Sequence, residues 1–104
     1  MQISISARHG HLSEATREKI THKVEKLHKM FDRLTSIEVT ADLEHEDDVG
    51  VDLRVSAEHK HDFASSGRAG ELMAALDAAL PKLEQQLRRY KEKIQNHHRK
   101  NPSR

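Results

Sequence analysis

Cysteine is absent from this 104-residue chain. That excludes disulfides and thiolate-bound zinc. Tryptophan is absent as well, and Phe31, Phe63 and Tyr90 are the only other large aromatics. No apolar run approaches the ~20 residues needed to span a bilayer, so no membrane segment is expected. The first residues, Met1 to Ser6, alternate and carry no basic cluster, so a signal peptide is not expected and a cytoplasmic location is. Glycine-rich phosphate loops, a nucleophile elbow and paired carboxylates at catalytic spacing are all missing. An enzyme is therefore not expected.

Charge is abundant and segregated. The formal net charge is only +1, but charged residues make up 34% of the chain. Between Glu38 and Asp62 stand nine acids and two bases, whereas from Ala79 to Arg104 stand eight bases and two acids. A cationic segment on a folded domain points to a polyanionic partner. The mostly phosphate-directed binding that follows is salt-sensitive.

Periodicity divides the chain into six elements. Ile3, Ile5 and Ala7 alternate with polar residues, the mark of a strand with one buried face. Arg8 to His11 reads as a turn around Gly10. Ser13 is a candidate N-cap, and Ile20, Val24, Leu27 and Phe31 recur at helical spacing. Ser36–Glu44 and Val49–Ala57 alternate on either side of an acidic turn, which predicts an antiparallel hairpin. A fourth strand is expected over His61–Ser65, followed by a loop from Ser66 to Gly70. A long helix runs from about Glu71 to Asn96 on a stripe of Leu72, Leu76, Ala79, Leu80, Leu83, Leu87, Tyr90 and Ile94. Pro81 should kink that helix without ending it. The expected class is α+β, βαβββα: a four-stranded sheet with two helices packed on one face. One domain over residues 1–96 and a disordered basic tail over 97–104 are expected.

Projection at 100° per residue sharpens the charge pattern. On the first helix Lys19, Lys23 and Lys26 share one flank, and Glu14, Glu18 and Glu25 the other. On the second, Lys82, Arg89 and Lys93 lie beside the leucine stripe. Arg88 and Lys91 lie across from them, near Asp77 and Glu84, where partial neutralisation is expected. Helices packed side by side would join the two basic edges into one surface. Glu38, Asp42 and Asp52 fall on the outer sheet face, which directs a nucleic acid to the helices. With so few aromatics, two of them on core stripes, base stacking is expected to be minor.

The ordered blocks Ile3-Ser4-Ile5-Ser6-Ala7-Arg8-His9, Ser13-Glu14-Ala15-Thr16-Arg17-Glu18 and Ala74-Ala75-Leu76-Asp77, the last followed by Lys82-Leu83-Glu84 and Gln86-Leu87, resemble the short ribosome hibernation-promoting factor and ribosome-associated translation inhibitor family, also grouped as sigma-54 modulation proteins. The similarity covers about residues 1–95. Ala7 replaces a family glycine, Glu71-Leu72-Met73 replaces Asp-Met-Tyr, Pro81 replaces an aspartate and Gln85 an arginine. The resemblance implies a fold like that of double-stranded RNA-binding domains. It also implies a monomer that binds small-subunit rRNA in the decoding channel and reversibly blocks mRNA and tRNA. The basic residues implied as RNA contacts, with the first-helix flank included, are Arg8, Lys19, Lys23, Lys26, Arg33, Lys82, Arg89, Lys91 and Lys93.

Other readings stay open. A regulatory module would dock another protein through the polar sheet face. A generic RNA-binding domain would favour any duplex. The pairs His9/His11 and His59/His61 fall at strand ends or turns, where solvated histidine is ordinary, so no metal and no cofactor is expected.

Overall fold

The computed structural model describes the backbone of residues 1–100 and the side chains of these except residue 60 and residues 96–100. The element order is β1 (Gln2–Arg8), α1 (Glu14–Met30), β2 (Leu34–His45), β3 (Asp48–Ala57), β4 (His61–Ala69) and α2 (Leu72–Lys100), with one 3-10 turn at Glu58–Lys60. This is the expected βαβββα order. The sheet runs β1-β2-β3-β4. β1 pairs parallel with β2, a geometry that requires a crossover, and α1 supplies it. The other two pairings are antiparallel.

Local chemistry explains the boundaries. Ser13 caps α1, its Oγ accepting from the Thr16 N–H at 3.1 Å, which satisfies one of the orphan donors at a helix start. Phe31 closes the helix in extended conformation, and its N–H donates to the Leu27 carbonyl. In the turn before α1, His9 and not Gly10 takes the left-handed conformation, at φ 63°. Gly10 is instead small because Leu43 lies against it: an added Cβ would stand 2.9 Å from Leu43 Cδ1.

The inner sheet face and the two helices make one core. Ile37 and Val39 of β2, Val51, Leu53 and Val55 of β3, Ile20, Val24 and Leu27 of α1, and Leu76, Leu83 and Leu87 of α2 are each at most 1% exposed. These are the residues that the two periodicities single out. The cross-sheet row Ile5–Val39–Leu53–Ser65 ends in a hydroxyl, which donates to the Ala79 carbonyl at 2.8 Å. A polar group on the covered face is thereby satisfied.

Two boundaries are corrected. β4 runs to Ala69, so the stretch expected as a loop from Ser66 is strand, paired as far as Val49↔Ala69. Its small polar residues carry no β signal of their own; the ladder to β3 imposes the conformation. α2 passes Pro81 as one element and is helical to Lys100, so residues 97–100 of the expected tail continue the helix. Residues 101–104 lie outside the described residues.

Gly67 is the tightest point of the layer packing. A Cβ there would collide with the Ala75 carbonyl oxygen and stand 2.8 Å from the Ala79 amide nitrogen. Both are helix backbone and cannot yield as a flexible side chain would. Gly67→Ala is therefore expected to destabilise by about 2–3 kcal/mol, read as a Tm lower by roughly 10–20 °C. Gly70→Ala is the control. Its Cβ would meet only the Asp47 carbonyl, at 3.9 Å, and a change within about 0.5 kcal/mol is expected.

Candidate nucleic-acid interface

The packing at Gly67 fixes how α2 is rotated about its axis, and hence where its cations point. One flank of α2 overlies β4. From it, Lys82 Nζ donates to the Ser66 carbonyl at 3.0 Å and Gln86 Nε2 to the Ala64 carbonyl at 2.7 Å. Arg89 and Lys93 project from the same flank, within about 60° of Gln86. None of these three cations takes part in an ion pair among the described residues. Lys82, Arg89 and Lys93 thus form one track roughly 16 Å long at 1.5 Å per residue.

The opposite flank of α2 faces α1. Lys23 Nζ reaches Asp77 at 2.5 Å, and Lys91 Nζ donates to the Met30 carbonyl at 3.2 Å. Lys19 and Lys26 share the flank of α1 that carries Lys23. The basic edge of α1 therefore meets the mixed edge of α2, which carries Asp77, Glu84, Arg88 and Lys91. The expected single basic surface is not formed. Two cationic tracks stand about one helix width, ~10 Å, apart, with α2 between them. Lys23 is partly neutralised. Lys91, expected near acids, instead caps the end of α1, where partial negative charge collects.

The remaining site residues go elsewhere. Arg8 emerges on the outer sheet face, beside Asp52 at 3.4 Å, and joins neither track. Its alternation with Ile5 and Ala7 along β1 dictates that side. Arg33 follows α1 and lines a recess with Lys91 and Lys29. Lys29 is the residue that sequence reasoning missed. It projects opposite the buried stripe of α1 and reads as a crest residue. The signal available was its place in the last turn, where α1 has to meet the far end of α2.

The outer face is close to self-neutralised. Arg68 makes two bonds to Asp48, at 3.2 and 3.1 Å. His9 Nδ1 stands 3.1 Å from Asp42. Asp42 also accepts the Glu44 N–H at 3.2 Å. His9, Asp42 and Glu44 hold donor atoms within 4.8 Å of one another, an arrangement that the His9–Asp42 hydrogen bond accounts for without an ion; His11 is not part of it. A shallow concavity of about 700 Å³ crosses this face, lined by Ser6, Arg8, Glu38, Thr40, Asp52 and Arg54 among others. The aromatics do not form a stacking platform. Phe31 and Phe63 pack edge-on against Tyr90, with centroids at 5.7 and 5.3 Å. No helix among the described residues is long and apolar enough to cross a membrane.

The profile of the Sigma 54 modulation protein / S30EA ribosomal protein family matches residues 3–95. The chain belongs to that family. Among curated members, it is 32% identical over 100 residues to the ribosome hibernation promoting factor of Escherichia coli K12, covering 93% of this chain and 100% of that protein. It is 29% identical over 102 residues to the ribosome hibernation promotion factor of Rhizobium meliloti, covering 97% of this chain and 53% of that longer protein. The same fold is seen in two solved structures, each 22% identical. A ribosomal subunit interface protein from Coxiella burnetii has a TM-score of 0.79 over 88% of this chain and 99% of that one. The Protein Y N-terminal domain of Thermus thermophilus has a TM-score of 0.75 over 86% and 99%.

The carboxyls of Asp42 and Asp48 are both held below the usual aspartate range. The causes are, first, the hydrogen bond from His9 at Asp42 and that from Arg68 at Asp48. A depressed carboxylate stabilises the fold above its unfolded pKa and loses that contribution as pH falls through its folded value. Carboxyl NMR titration is expected to show both groups less protonated than exposed aspartates at the same acidic pH. Arg68→Gln should return Asp48, and not Asp42, to the ordinary range.

Proposed function

We propose that this chain is a cytoplasmic ribosome-associated hibernation factor. It acts as a monomer, binds rRNA of the small subunit in the channel that serves mRNA and tRNA, and blocks both by occupying the space. The mechanism is steric and needs no chemical step. Family membership and the names carried by its relatives support the ribosomal and hibernation part of this reading. The observation that carries the rRNA-contact part is the Lys82–Arg89–Lys93 track, which faces solvent with no acid paired to it among the described residues. Lys82 is already tethered to a backbone carbonyl, so little side-chain entropy is lost when it meets a phosphate. Lys19 and Lys26 supply the second track. A body with cations along both sides of one helix suits a groove with rRNA on two walls.

Binding of this kind weakens steeply with salt, by about 0.7–0.9 in the log–log slope for each phosphate neutralised. Replacing Lys82, Arg89 and Lys93 together by Glu is expected to abolish co-sedimentation with small subunits at moderate salt, with the far-UV circular dichroism of the fold retained. Co-sedimentation of the triple variant at wild-type level would refute the track as the contact surface.

Asp77→Asn offers the opposite sign. Removing the acid frees Lys23, and the salt slope for small-subunit binding should steepen by up to about one phosphate's worth. Stability should change by less than about 1 kcal/mol, because both side chains of the pair are partly exposed.

One observation favours a second reading, the docking of a regulatory protein on the outer sheet face: the concavity around Thr40 and Asp52. That reading expects loss of the partner on changing Glu38 and Asp52 and indifference to the triple charge reversal.

A further inference from the structure

Where α1 ends, its last turn, the following residues and the far part of α2 enclose a recess of about 300 Å³. We propose that this recess receives one unstacked nucleobase of the bound RNA strand, whose phosphates are held at the rim by Lys29, Arg33 and Lys91. The inference rests on the rRNA-binding reading above and adds a base-contacting site to it.

Three features carry the proposal. The first is chemistry. Phe31, Met30 and Ile94 supply an apolar floor, and the rim has three cations against one acid, Asp32. An inorganic anion would leave the floor unused, and an uncharged ring would leave the cations unused. A nucleotide unit has a flat apolar face joined to a negative backbone, and RNA-binding proteins commonly take up unstacked bases in this way. The second is rigidity. Phe31 is only 7% exposed and is pinned edge-on by Tyr90, which also meets Phe63. Lys91 is fixed on the Met30 carbonyl. The recess is therefore formed before any ligand arrives, which lowers the ordering cost of binding. The third is size. About 300 Å³ is at the small end for ligand pockets, fitting a single ring system with its phosphates outside.

Electrostatics sets the orientation. The last carbonyls of α1 carry partial negative charge, so phosphate is disfavoured against the helix end itself. Arg33, Lys29 and Lys91 stand around that end and draw the backbone to the rim, leaving the base to face inward. Arg33 and Lys91 lie away from the Lys82 track, and a base site gives them a role that phosphate tracking along α2 does not.

The test compares a mixed-sequence hexaribonucleotide with an abasic ribose-phosphate strand of the same length and charge, titrated into the full chain. Kd is read by fluorescence anisotropy, and the Met30 and Ile94 methyl signals are followed by NMR. The base-bearing strand is expected to bind about fivefold tighter or more and to shift both methyl signals; the abasic strand is expected to do neither. Ile94→Ser should remove that advantage while leaving the salt slope unchanged. Lys29→Gln, an exposed change that spares the fold, should weaken both strands equally and lower the slope by about one phosphate's worth. Equal affinity of the two strands, or static Met30 and Ile94 signals on saturation, overturns the proposal. If neither strand binds, the proposal also falls, and small-subunit co-sedimentation then separates the cases. Wild-type protein that still pellets has lost only the base site, whereas protein that does not pellet has lost the rRNA-binding reading too.

Discussion

The close approach of α2 to β4 is the constraint on which the charge layout depends. At Gly67 the helix backbone comes so near the strand that no side chain fits between them. Ser65 then bonds to the Ala79 carbonyl, and the Lys82 and Gln86 side chains bond to strand carbonyls. Together these contacts leave α2 one rotational setting. Leu76, Leu83 and Leu87 go inward, Lys82, Arg89 and Lys93 go to the β4 side, and Asp77 and Lys91 go toward α1. A rotation of one residue, about 100°, would scatter all three groups.

Ion pairs do not hold this fold together. The four among the described residues all join partly or wholly exposed side chains, and such pairs contribute about 0–1 kcal/mol each. Stability comes from the apolar face of the sheet and the two stripes that cover it. Charge is therefore free to serve contact with a partner. It is sorted accordingly: on the outer sheet face Arg8 and Arg68 pair with Asp52 and Asp48, while of the lysines on the two helices only Lys23 pairs with an acid among the described residues. Lys82 and Lys91 are held by backbone carbonyls instead, and their positive charge is retained.

Most of the architecture was legible because burial leaves a periodic trace. Ile20, Val24 and Leu27 mark α1, and Val51, Leu53 and Val55 mark a half-buried strand, each by spacing alone. The second half of β4 left no such trace. Ser66, Gly67 and Arg68 have neither apolar alternation nor β-branched side chains, and their conformation comes from pairing with Asp52, Val51 and Gly50. The left-handed residue in the turn after β1 left no trace either, because it is His9 and not the neighbouring Gly10. Glycine marks special geometry, but a close approach and a positive φ leave the same letter in the sequence.

By itself, the sequence determined the element order, the core residues and which flank of each helix is basic, because all three are local consequences of 2.0 and 3.6 residue periodicity. It also carried the family, in ordered blocks spread along the chain. Only the tertiary structure decided which flank of one helix meets which flank of the other. That outcome turns on a contact between Gly67 and a helix backbone that no spacing rule encodes. It placed the basic edge of α1 against Asp77, sent Arg8 to the far side of the sheet, and brought Lys91 from the far part of α2 to Lys29 and Arg33 around one recess.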